Sequence, residues 1–208
     1  MIRVKVCGIT NAEDARASIA AGADALGFNF VEGTPRYIRP EVAAAIIAEL
    51  PAFVTPVGVF WDHPAGHVKA VAEQCRLGAL QFHGDETPEA LGEHSLPTIK
   101  VIKVTGHDDL ARMDAYGRSS VMLDSPARWS QGEARAPISW EVARAAALLR
   151  PIILSAGLTP DNVEIAVRSV RPYAVDVASG VEASPGRKDA DKVRRFVAAA
   201  HAADLATP

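Results

Sequence analysis

The sequence predicts a (β/α)8 barrel in one domain spanning residues 1–208, on three observations. Short apolar runs rich in β-branched residues alternate strictly with longer stretches of helical periodicity, eight of each. The short runs carry few charges, as parallel strands covered on both faces do. With 49% hydrophobic and 23% charged residues in 208, the chain has the make-up of one soluble domain, near the lower size for eight βα units.

The first strand, Val4–Cys7, runs through Gly8 to a helix over Ala12–Ala20. Asn11 stands as its N-cap, Glu13 and Asp14 occupy the first turn where the helix dipole favours acids, and Gly22 closes it. Ala25–Phe30 leads to a helix over Pro40–Glu49, and Thr55–Phe60 to one over Ala65–Gln74, which Gly78 is expected to close. Ala79–Phe82 pairs with Pro88–Glu93, Lys100–Val104 with Asp108–Tyr116, and Ser120–Leu123 with Trp140–Leu149. After Ile152–Ser155, Thr159 reads as a cap and Pro160 as the first position of a helix to Val170; Ala174–Val177 and a helix over Asp189–Ala202 complete the series. An open dinucleotide-binding sheet would carry Gly-x-Gly-x-x-Gly after the first strand, where this chain has Cys7-Gly8-Ile9-Thr10. No linker, low-complexity segment or repeat divides the chain, so the barrel is the better reading.

A net charge of -3 argues against a nucleic-acid or membrane-surface binder. Two cysteines, Cys7 and Cys75, are too few for a disulfide framework or a cysteine metal cluster. The opening apolar run is too short for a signal peptide, and no 18-residue apolar stretch exists, so the expectation is a cytoplasmic protein. No His, Asp or Glu cluster has metal-ligand spacing, and neither a nucleophile elbow nor a P-loop is present; no metal is expected.

Barrel enzymes build their sites at the C-terminal ends of the strands. Cys7 ends the first strand and is either a small core hydrophobe or a thiolate acting as base or nucleophile. Lys5, two residues earlier, shares its strand face. Asp124 ends the sixth strand, as a loop cap or as an acid facing the site across from Cys7. Ser155-Ala156-Gly157-Leu158 and Ala178-Ser179-Gly180-Val181 follow strands seven and eight, where barrels commonly seat a phosphate on backbone N–H groups. Arg36, in the loop after strand two, is a solvated surface residue or a fork for a carboxylate. Gln81 and His83 end strand four, and His63 and His67 follow strand three.

These segments, in order along nearly the whole chain, resemble the phosphoribosylanthranilate isomerase family. The resemblance is carried by Lys5-Val6-Cys7-Gly8-Ile9-Thr10, Gly27-Phe28-Asn29-Phe30, Pro35-Arg36, Val57-Gly58-Val59-Phe60 and Gln81-Phe82-His83-Gly84. Leu123-Asp124-Ser125, Gly157-Leu158-Thr159-Pro160, Val175-Asp176-Val177, Ser179-Gly180-Val181-Glu182, Pro185-Gly186 and Lys188-Asp189 continue it. It implies an Amadori rearrangement of a phosphorylated aminosugar, with Asp124 as general acid and Cys7 as base, and no cofactor. It also implies Arg36 on the anthranilate carboxylate, with Lys5, Gln81, His83 and Asp176 joining it in binding substrate and Ala156, Gly157, Ser179 and Gly180 holding the phosphate.

The chain departs from the family in three places. After strand six the family usually carries Gly-Gly-Thr-Gly before Phe-Asp-Trp, where this chain has Gly132-Glu133-Ala134-Arg135 and Ile138-Ser139-Trp140. Ala156 replaces a glycine and Ala178 a serine. These changes keep two alternatives open: a related aminoaldose isomerase of altered substrate preference, and a weakened barrel that binds phosphate ligands. The partner expected is the small-molecule substrate, with monomer and homodimer both allowed.

Overall fold

A computed structural model describes residues 1–126 and 138–205. Eight parallel strands pair in chain order and close into a barrel: Arg3–Cys7 (β1), Ala25–Asn29 (β2), Thr55–Phe60 (β3), Ala79–Phe82 (β4), Thr98–Lys103 (β5), Ser120–Asp124 (β6), Ile152–Leu154 (β7) and Ala174–Val177 (β8). The closing register sets Lys5 of β1 beside Asp176 of β8. Around it lie helices Ala12–Ala21 (α1), Pro40–Ile47 (α2), Ala65–Cys75 (α3), Pro88–Gly92 (α4), Trp140–Leu149 (α5), Val163–Val170 (α6) and Ala190–Leu205 (α7). Strand ends fall within two residues of those expected. No helix among the described residues is long and apolar enough to cross a membrane.

Local chemistry explains the helix ends, including those the sequence reading misplaced. The Asn11 side chain accepts from the Asp14 N–H, and Gly22 closes α1 at φ 101. Gly78 does not close α3; Arg76 does, at φ 52. Gly78 instead leaves room at the β3–β4 contact, where a Cβ would stand 3.1 Å from Thr55 Cγ2. The helix expected over Asp108–Tyr116 is a 3-10 helix, His107–Tyr116. Its apolar anchors Leu110, Met113 and Tyr116 recur every three residues, the repeat of a three-residue turn. α6 begins at Val163, and Thr159 is not its cap. The Asn162 side chain binds back to the Thr159 N–H and the Gly157 carbonyl, so residues 159–162 form a turn. A hairpin of Glu182–Ser184 (β9) and Arg187–Lys188 (β10), turning over Pro185-Gly186, was not expected.

Inside the barrel, the period-two alternation of the strands places the site. Val57, Ala79, Ile99, Val101, Met122, Ile153 and Ala174 form an apolar cluster inside the barrel. Two residues further along four of these strands, on the same inward face, stand Gln81, Asp124, Ser155 and Asp176. An apolar floor thus carries a polar storey at the C-terminal mouth. The larger core cluster, which includes Phe28, Phe60, Leu123, Val175 and Phe196, contains both outward strand faces and inward helix faces.

Candidate active site

The pocket at the C-terminal mouth is lined by Cys7, Arg36, Gln81, His83, Asp124, Asp176 and both small-residue loops after β7 and β8. Ten of the eleven residues singled out from the sequence stand on this wall. The eleventh, Lys5, lies beneath it, 5% exposed, with Nζ 2.7 Å from Asp176 Oδ1. Asp176 Oδ2 is 3.2 Å from the hydroxyl of Ser155, the pocket residue that opens the small-residue loop after β7.

Lys5 and Cys7 converge as their shared strand face requires. A Cβ on Gly27 of the neighbouring β2 would stand 2.7 Å from Cys7 Sγ and 2.9 Å from Lys5 Nζ, so only glycine fits between them. Burial alone would push the Lys5 ammonium down; Asp176, then Cys7, more than offset this and hold its pKa above the ordinary lysine value. Lys5 thus sets a positive charge beside the Cys7 thiol. Across the mouth, Asp124 is 3% exposed and its Oδ1 accepts the Ser125 N–H at 2.8 Å.

The loop after β7 contains two successive left-handed residues, Ala156 at φ 71 and Gly157 at φ 64. Glycine adopts this conformation freely, whereas alanine does so at a cost of about 1–2 kcal/mol. The substitution Ala156 therefore leaves strain in the wall of the pocket. The loop after β8 turns through a short 3-10 segment, Ser179–Val181, and touches the first loop at Gly180. A Cβ on Gly180 would overlap the Leu158 carbonyl oxygen. Gly180→Ala must part the loops, and if these hold the phosphate, KM rises about tenfold or more with the melting temperature lowered by several degrees. Steady-state kinetics beside a thermal melt check this; an unchanged KM would take the phosphate elsewhere.

Arg36 lies across Gly8, whose left-handed φ of 79 and missing Cβ make room; a Cβ there would come 2.6 Å from Arg36 Cδ. Its guanidinium is already engaged. Nε and Nη2 grip Glu182 at 2.8 and 2.7 Å, and Lys188 Nζ donates to the same carboxylate at 3.0 Å and to the Ala178 carbonyl at 3.1 Å. Burial drives the Glu182 carboxyl up, but Arg36 and Lys188 prevail and hold it below the ordinary glutamate value. Burial pushes the Lys188 ammonium below the ordinary lysine value, with Glu182 opposing. No role for Glu182 or Lys188 was read from the sequence. The available signal was two opposite charges bracketing the Pro185-Gly186 turn.

Gln81 and His83 meet side chain to side chain, Nε2 to Nε2, at 2.5 Å. Gln81 is 1% exposed, and its Oε1 has no hydrogen-bond partner among the described residues. His63 and His67 stack on each other, ring centroids 5.0 Å apart, and do not line the pocket. The divergent segment Gly132–Arg135 lies outside the described residues. Beyond it, Ser139 caps α5, its hydroxyl accepting the Val142 N–H at 3.5 Å.

Comparisons with known proteins bear on the fold and the family. The family model described as N-(5'phosphoribosyl)anthranilate (PRA) isomerase matches residues 4–199. An N-(5'-phosphoribosyl)anthranilate isomerase of a Geobacter species is 50% identical over 200 residues, 96% of this chain and 98% of that protein. The enzyme of that name from Geobacter metallireducens is 46% identical over 202 residues, 97% of this chain and all of that one. The crystal structure of phosphoribosyl anthranilate isomerase from Thermotoga maritima superposes with a TM-score of 0.92 at 40% identity, covering 97% of this chain and 100% of the other. A phosphoribosyl anthranilate isomerase solved with reduced 1-(o-carboxyphenylamino)-1-deoxyribulose 5-phosphate gives 0.87 at 39% identity, with the same coverage. The chain belongs to the N-(5'-phosphoribosyl)anthranilate isomerase family.

Proposed function

We infer that the protein catalyses the Amadori rearrangement of N-(5'-phosphoribosyl)anthranilate to 1-(o-carboxyphenylamino)-1-deoxyribulose 5-phosphate, an aldose–ketose isomerisation in tryptophan biosynthesis. The observation that carries this reading is the pairing of Cys7 and Asp124 across one pocket whose β7–β8 side is built of small-residue loops. That side suits the phosphate. The ribose then spans the space between the thiol and the carboxyl.

The roles follow from what each group can do. Protonated Asp124 donates to the furanose ring oxygen as the C1–O bond breaks, and the nitrogen lone pair forms the C1=N bond of the Schiff base. The Cys7 thiolate, with the Lys5 ammonium beside it, takes the proton from C2. The freed electron pair forms C1=C2 and neutralises the nitrogen. The Cys7 thiol returns a proton to C1 of the resulting enolamine while its C2 hydroxyl gives its proton to the Asp124 carboxylate, which leaves the ketone and restores both groups. Hydrogen moves from C2 to C1 within one molecule, so no redox cofactor is required. Arg36 receives the anthranilate carboxylate, and Gln81 offers its Oε1, which has no partner among the described residues, to an N–H or hydroxyl of the bound substrate. His83, held by Gln81, completes that side of the pocket.

The two cysteines are both buried and unpaired, which suits a reducing cytoplasm. A second copy of the chain is the expected partner if the protein is not a monomer; the Thermotoga maritima relative is described as dimeric.

Freshly made phosphoribosylanthranilate is fluorescent, and its decay with purified protein and excess next-step synthase tests the reading. The decay should be proportional to enzyme concentration and slowed by inorganic phosphate. Decay at the uncatalysed rate would sink it and turn attention to other phosphosugar amines.

A further inference from the structure

We propose that Lys188 is a selectivity-determining positioning residue: it cancels the charge of Glu182, so that the charge of Arg36 remains available to the carboxylate of the substrate's aromatic amine. The proposal rests on the reading of Arg36 as the carboxylate receptor.

The starting observation is that Arg36 is doubly bonded to Glu182. A guanidinium neutralised in this way is a poor receptor for a second carboxylate, which would also meet the charge of the first. Lys188 Nζ, 3.0 Å from Glu182 Oε1, reverses that balance. The three charges sum to +1, in surroundings where the side chains of Lys188, Glu182 and Arg36 are 0%, 5% and 14% exposed. Charges so shielded from water act on one another far more strongly than surface pairs do. The Nε edge of Arg36 is taken by Glu182, so the outer Nη1–Nη2 edge is the one left for substrate.

Lys188 Nζ also donates to the Ala178 carbonyl at 3.1 Å, but the hairpin that carries it is docked by other contacts as well. The Thr10 hydroxyl donates to the Gly186 carbonyl at 2.6 Å, and the Lys188 backbone N–H donates to Asp14 Oδ2 at 2.8 Å. Gly186 also packs so close to the Pro35 carbonyl that a Cβ would come within 2.7 Å. These backbone contacts hold the turn against the loop that carries Arg36. A buried ammonium costs desolvation that an apolar side chain of similar length would avoid. Its place in the structure is explained by the charge it supplies.

The test compares N-(5'-phosphoribosyl)anthranilate with N-(5'-phosphoribosyl)aniline, the same aminoaldose without the carboxylate. Lys188→Met should raise KM for the anthranilate substrate about tenfold and change KM for the aniline substrate by no more than about twofold. Lys188→Arg should restore the preference. The double variant Glu182→Gln, Lys188→Met, which leaves Arg36 as the net charge, should also recover it, and it carries the test if the single variant does not fold. Equal losses on both substrates, or a loss confined to kcat, would overturn the proposal, the first pointing to the Lys188–Ala178 bond instead. So would an unchanged preference in Lys188→Met while Arg36→Ala abolishes it. If Arg36→Ala itself leaves the preference intact, the reading of Arg36 fails first, and the proposal with it.

Discussion

Cys7→Ala should lower kcat on phosphoribosylanthranilate by about 10³–10⁴-fold, the upper range for loss of a general base, with KM close to that of the parent. The structure makes this a clean substitution. Cys7 is small and 8% exposed at the pocket wall, so the cavity left is minor. Lys5 keeps Asp176 at 2.7 Å and is not stranded as an unpaired buried charge. Cys7→Ser retains the volume but replaces the thiol by a far weaker acid, and a comparable loss would assign the effect to the thiolate rather than to packing. Chemical modification gives a second measurement. Burial, with Glu41 nearby, pushes the Cys75 thiol up to about 11, so at pH 8 it stays protonated and inert. Iodoacetamide should therefore inactivate in step with loss of one thiol, Cys7, and inorganic phosphate in the pocket should slow it. A Cys7→Ala enzyme within about tenfold of the parent rate would remove the thiol from the reaction.

The parts legible in the sequence were those set by local rules. Strand runs, their order and their parity follow from period-two patterning, and parity alone puts Gln81 above Ala79 and Asp124 above Met122 on the inner wall. Asn11 capped its helix because the interaction lies within one turn. What escaped was set by closure and register. Lys5 meets Asp176 across 171 residues and Arg36 meets Glu182 across 146, through contacts that exist only once β1 pairs with β8 and the hairpin docks. Arg36 was visible as a candidate, but not that its fork is shared. The left-handed Ala156 was hidden for another reason: the loop demands the conformation, and an alanine in the sequence argues against it. Thr159 misled as a cap because nothing local shows Asn162 turning its side chain back to the loop.

Asp124→Asn should cut kcat by about 10²–10⁴-fold, and its consequences differ from those at Cys7 in a measurable way. Asparagine keeps the size of the side chain and the Oδ1 acceptor that takes the Ser125 N–H at 2.8 Å, so this contact at the end of β6 is retained. What it loses is the proton for the ring oxygen. Ring opening then becomes the slow step, and removal of the C2 proton follows after it. Substrate deuterated at C2 separates the two stages. In Asp124→Asn the isotope effect on kcat should shrink towards unity, whereas in Cys7→Ala, with C2 deprotonation limiting, it should be fully expressed. The double variant should be little slower than the worse single, because the two groups serve one path. A large isotope effect in Asp124→Asn would mean that ring opening remains fast without the carboxyl. The acid would then have to be sought elsewhere on the same wall, with His83, 5% exposed beside Gln81, the next group to replace.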